Sequence, residues 1–250
     1  RWDSNFTLSH NKNKIKELVR DYVHPETGEL INKDRLDVGG LGKARFILKE
    51  GGTLGDLYTQ SDLKRDDNGM VDIDPTGIVA IENNLPDIKL GSVFPKANLA
   101  WSNHFSWKGI SLSALFTARI GGIVYSATEA AMDQYGVSER SALARDNGGV
   151  LVNNRTLVDA QNYYTTIGSE SGLPQYYTYN ATNVRLQEAS IGYLIPRKWL
   201  GNVCDIQVSV IGRNLWMIYN KAPFDPESVA TTDNYYQGID YFMMPSTRNI

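Results

Sequence analysis

Few residues in this chain are spaced for chemistry. The stretch Asp66-Asp67-Asn68-Gly69-Met70-Val71-Asp72-Ile73-Asp74 has the look of a calcium loop, in which oxygen ligands recur at alternate positions around a glycine. Placing Gly69 at the sixth position of an EF-hand puts Lys64 at the first and Pro75 at the twelfth, where carboxylates are required. The segment therefore reads first as an Asn-Gly turn in an acidic surface loop, with a non-EF calcium site as the lesser alternative. His10, His24 and His104 are scattered, with no partner at a helical ligand spacing. Cys204 is the single cysteine, so neither a disulfide nor a Cys/His zinc set can form around it. Gly39-Gly40-Leu41-Gly42 and Gly51-Gly52-Thr53-Leu54-Gly55 lack the P-loop lysine and read as turns. A glycosidase needs two carboxylates that meet only in space, and pairs such as Asp225 and Glu227 arise by chance in any acidic chain. The chain is expected to need no cofactor and to be no enzyme.

Aromatic residues are better placed for recognition than these groups are for catalysis. Tyr135, Tyr163, Tyr164, Tyr176, Tyr177 and Tyr179 fall in one long connection, and Tyr235, Tyr236, Tyr241 and Phe242 in another. Aromatic rings stack on sugars and pack at protein interfaces; they also fill the interiors of folded loops, and composition leaves both uses open. Tyr235 and Tyr236 are the candidates for substrate or partner contact.

The elements that position these loops follow from hydrophobic period. From Ala97 to Trp107, Leu99, Trp101, Phe105 and Trp107 alternate with polar residues, broken only at Asn103. After Lys108-Gly109 the alternation resumes with Ile110, Leu112, Ala114, Phe116, Ala118 and Ile120 on one face and Ser111, Ser113, Thr117 and Arg119 on the other, Leu115 being the exception. These runs predict an antiparallel hairpin whose second strand extends to Tyr125. Arg1 to His10 and Val203 to Tyr219 repeat the texture, with a bulge expected at Gly212. Weaker strands are expected at Ala44 to Tyr58 and Thr182 to Ile195, and a short helix at Lys12 to Tyr22.

With 25 basic against 28 acidic residues and a net charge of -3, nothing suggests a nucleic acid partner. No apolar run is long enough for a membrane helix, and mean hydropathy is -0.34, but a β-barrel spans a bilayer with only every second residue apolar. Connections also alternate in length: Lys108-Gly109 and Pro196 to Asn202 are short, while 59–96, 126–181 and 220–244 are long. Outer-membrane barrels have tight periplasmic turns and long extracellular loops. By this count 10–43 would be periplasmic, which its length fits badly. Trp107, Trp199, Tyr125 and Tyr219 sit near strand ends, as interfacial aromatics do. Alternation alone is shared by a soluble, secreted β-sandwich that binds glycans, and that alternative stays open.

Particular stretches resemble the C-terminal third of the SusC/RagA family of TonB-dependent outer-membrane receptors of Bacteroidetes-type bacteria. They are Asn11 to Leu18, Gly51 to Tyr58, Leu90-Gly91-Ser92 with Pro95, the Trp107-Lys108-Gly109 turn, Ala181 to Tyr193, Gly212-Arg213-Asn214-Leu215, Phe224-Asp225-Pro226-Glu227 and Pro245 to Ile250. The resemblance covers essentially the whole chain, in order. It implies an all-β, antiparallel transmembrane barrel of 22 strands, of which residues 1–250 would be about seven strands of a single barrel domain, without its plug and last strand. It further implies import of glycans or peptides across the outer membrane of a Gram-negative bacterium, with a SusD-like surface lipoprotein and with TonB acting through an N-terminal region outside this chain. If the Ile110 face meets outer-membrane lipid, then Ser113, Thr117 and Arg119 face the lumen.

Overall fold

The computed structural model describes residues 1–230 and 236–250. Its frame is a five-stranded sheet of β1 (Trp2–Ser9), β2 (Ala97–Trp107), β3 (Ile110–Ile120), β4 (Asn183–Ile195) and β5 (Ile206–Asn220), antiparallel throughout and in that order. Register aligns the faces. Trp2, Phe105, Leu112, Ile191 and Val210 form one cross-strand row, and Phe6, Trp101, Phe116, Leu186 and Trp216 another on the same side. Asp3, His104, Ser113 and Ser190 align on the opposite face. Because side chains alternate along a strand, one register places the whole apolar set on one side.

The two short turns lie at one end of the sheet. Lys108 and Gly109 both adopt positive φ, 46° and 87°, as a two-residue type I′ hairpin demands. Pro196 to Asp205 closes the other hairpin through a 3-10 turn at Arg197–Leu200. The opposite end carries residues 10–96, 121–182, 221–230 and 236–244, which fold together over a core of their own. Phe46, Leu57, Val79, Val93, Tyr125, Ile167, Leu173, Tyr177 and Ile239 are buried there in a single cluster. Three short helices in this assembly, α1 (Ala127–Gln134), α2 (Glu139–Asp146) and α3 (Ala160–Gly168), each start on a side-chain cap, from Ser126, Ser138 and Asp159.

Several sequence expectations change here. Ala44 to Tyr58 is not a wall strand; it forms Ala44–Lys49 and Asp56–Thr59 within a small loop sheet. The main sheet has five strands rather than about seven, and residues 10–96 form one excursion at the loop end. The long 10–43 connection is thereby explained. Lys12 to Tyr22 is not helical: 11–17 has no regular structure, and Val19–Val23 pairs with Leu30–Lys33. The strand read from Ile110 to Tyr125 breaks at Gly121-Gly122, both at positive φ, and Ile123–Ser126 turns into the loop assembly. Tyr125 is consequently fully buried and is no interfacial aromatic, whereas Trp107, Trp199 and Tyr219 stay exposed. Gly212 pairs in register with Ala189; the irregularity falls just beyond it, at Asn214 with φ 52°.

Candidate functional site

The polar face of the wall holds Ser113, Thr117 and Arg119 together, as alternation requires. Ser113 and Ser190 share a hydroxyl–hydroxyl hydrogen bond across the β3–β4 pair. Thr117 lies opposite Ala100 and Arg185, and Arg119 opposite Asn98 and Asn183. Toward the loop end the buried Arg185 guanidinium donates to Asp225 at 2.8 Å and contacts Glu227 at 3.2 Å, while its Nε donates to Asn183. Ser246 also donates to Asp225. The Phe-Asp-Pro-Glu stretch is thus a clamp on a wall arginine, which gives Asp225 and Glu227 a structural role. Burial pushes the Asp225 carboxyl up, but the hydrogen bonds from Arg185 and Ser246 outweigh it and hold it below its ordinary value.

Most loop tyrosines are structural. Tyr177 is fully buried and its hydroxyl donates to Asp133 at 3.0 Å. Asp133, itself buried on α1, also accepts from Ser138 and from Arg140 Nε at 2.9 Å. The Arg140 guanidinium lies 4.8 Å from the centre of the Tyr177 ring. Tyr163 packs edge-on against Tyr164, and burial pushes its hydroxyl up to about 12. Among the six tyrosines of 126–181, Tyr135 stands open, at 76% exposure. Tyr236, Tyr241 and Phe242 are exposed in the last loop; Tyr235 lies outside the described residues.

The acidic stretch forms two successive turns. The Asp66 carboxylate accepts from the backbone of Asn68 and Met70, that of Asp74 from Thr76 and Ile78, and Asp72 pairs with Lys64 at 2.7 Å. A group that sequence reasoning did not single out is Asp87, which accepts from Arg35, Lys49 and Gln60 and joins separate parts of the first loop. Only spatial proximity identifies it, since its partners lie dozens of positions away in the chain.

Long amphipathic strands in an antiparallel wall, with one face apolar and exposed and all long loops at one end, define a β-barrel wall, open in this chain. Comparison with known proteins agrees. The chain is similar to TonB-dependent receptor P3 of Formosa agariphila, with 24% identity over 278 aligned positions that take in 99% of this chain and 26% of that protein. Among solved structures it superposes on the RagAB peptide transporter with a TM-score of 0.63 at 17% identity, and on the RagAB peptide importer in its "closed-closed" state with 0.60 at 16%. Each superposition covers 99% of this chain and 26% of the matched chain. No family model matches. The chain therefore spans about a quarter of the relatives it matches, and the resemblance to TonB-dependent receptors read from its motifs is borne out.

Proposed function

We propose that this chain forms wall and loops of a TonB-dependent importer in the outer membrane of a Gram-negative bacterium. The observation that carries the proposal is the unpartnered apolar face. Trp2, Phe6, Trp101 and Trp216 are 68, 62, 45 and 62% exposed on one side of the sheet, an arrangement that costs free energy in water and is satisfied by hydrocarbon. A soluble β-sandwich needs a second sheet on that face, and none of the described strands covers it.

In this reading the two short turns are periplasmic and the loop assembly is extracellular. Cargo is held between loops and a SusD-like surface lipoprotein, then released inward when TonB acts on a region N-terminal to these residues. Glycans and peptides are both candidate cargoes; the likeness to a peptide transporter supports peptides. The loop assembly contributes shape and the polar wall face lines the path. Ser113, Thr117 and Arg119 belong to that lining, and the exposed Tyr236, with Tyr235, is the candidate for cargo or lipoprotein contact. The test is to isolate the intact protein in mild detergent and identify what accompanies it. Dependence on detergent together with a co-purifying surface lipoprotein is the expected result. A monodisperse, detergent-free protein without a partner would overturn the assignment.

A further inference from the structure

Three arginines stand on the polar face of the wall, and they are treated differently. Arg185 is neutralised by Asp225 and Glu227, and Arg213 by Glu188 at 3.0 Å. Arg119 has no carboxylate within ion-pair distance among the described residues. Its Nη2 donates to the Val93 carbonyl at 2.7 Å, while its Nε is enclosed and unpaired. Among the described residues Glu227 is the acidic group that acts on it electrostatically, and Glu227 is already held by Arg185. The neighbours in its row are amides: Asn98 and Asn183 are its cross-strand partners, and Asn220 pairs with Asn183.

A partly buried guanidinium that keeps its charge without an anion beside it is costly; its enclosed Nε is out of reach of a transported molecule, so the Nη groups are the donors that an anion would meet. Arginine is also the side chain best shaped to grip a carboxylate through two parallel N–H donors. Arg119 is the last residue of β3 in register with β4, one position before β3 ends at Ile120 and the next residues turn away. We infer that Arg119, flanked by the Asn98 and Asn183 amides, is an anion-receiving point at the mouth of the lumen that takes a carboxylate of the transported molecule. This rests on the importer reading for its cargo, but the positive charge, without a carboxylate partner among the described residues, is a property of the wall itself. A neutral glycan gains nothing from such a point, whereas a peptide C-terminus, an acidic side chain or a uronate does.

Anomalous diffraction from bromide-soaked crystals of the intact protein tests the inference without knowledge of the cargo. A bromide peak beside the Arg119 guanidinium is expected, displaced when acetate is added and retained when the neutral analogue acetamide is added at the same concentration. Arg119→Gln should abolish the peak while heat-modifiable migration in gels stays as in the wild type. If that variant does not assemble, the acetate and acetamide comparison on the unaltered protein still decides. No peak, a peak indifferent to acetate, or a carboxylate of the protein's own chain already seated there would each overturn the inference. None of these outcomes bears on whether the wall lies in a membrane, which detergent dependence decides separately.

Discussion

At the scale of single residues, the loops are held by a few largely buried ion pairs. Asp133 collects donors from Ser138, Arg140 and Tyr177, so Asp133→Ala leaves three groups without their acceptor. Breaking a buried pair by removing one partner costs about 3–5 kcal/mol, and the lower end applies because Arg140 is 36% exposed. Limited proteolysis should then cut within 127–168 at least tenfold faster, while the wall strands keep their protection; unchanged cutting would mean the network is dispensable. Asp87 gives a pH dependence. Hydrogen bonds from Arg35, followed by Lys49, hold its carboxyl far below the ordinary carboxylate range despite desolvation. A depressed folded value means that its contribution is full above the unfolded value of about 4 and is lost as pH falls from there through the folded value. Amide exchange in Ala44–Lys49 should therefore quicken as pH is lowered below about 4, after correction for intrinsic rates, and Asp87→Asn should remove that dependence. A pH-independent difference between variant and wild type would contradict the assignment. Neither residue was legible in the sequence, because an aspartate bound to a distant arginine has no local signature. The first turn of the acidic stretch, by contrast, was legible from Asn68-Gly69, while the second, at Asp74 to Gly77, was not read from it.

At the scale of elements, period two located β1, β2 and β3 to within a few residues and aligned their faces correctly. It failed where a strand changes role. Ala44 to Tyr58 carries strand-forming residues, yet it pairs inside a loop, and pairing partners are not written in local alternation. Ile110 to Tyr125 keeps its alternation across Gly121-Gly122, but two consecutive residues at positive φ end the ladder there. Asn103 breaks the apolar face of β2, and the structure gives the reason: the Trp2 indole N–H donates to Asn103 at 3.4 Å, and that of Trp101 to Ser4 at 3.0 Å. Asn103 and Ser4 thus each accept from an indole of the neighbouring strand, which would lessen the cost of placing them against hydrocarbon in the proposed reading. The two faces of β3 predict opposite outcomes for one substitution. Phe116→Arg puts a charge toward the lipid midplane at a cost of about 2–4 kcal/mol and should block assembly, read as loss of the heat-modifiable folded band. Thr117→Arg lies on the polar face and should assemble as the wild type does. Equal tolerance of the two would refute the facing.

At the scale of the whole molecule, a sheet with one apolar face exposed and one polar face carrying Arg119, Arg185 and Arg213 has a consistent account only if the two faces meet different media. The loop assembly buries its own core at one end, so wall and loops form two layers; in the proposed reading one would separate lipid from lumen and the other would shape the entrance. The motif order made the class of protein legible, while strand count and loop architecture required three-dimensional pairing. The most direct test of the central claim is spin-label accessibility along β3. With Cys204 replaced by serine, single cysteines placed from Ile110 to Ile120 in the intact, membrane-reconstituted protein would be labelled and read for collision with oxygen and with a water-soluble nickel chelate. The account predicts strict alternation, with even positions such as Leu112 and Phe116 favouring oxygen and odd positions such as Ser113 and Thr117 favouring the chelate. Labels at even and odd positions that are equally open to the chelate, or equally shielded from both reagents, would contradict it.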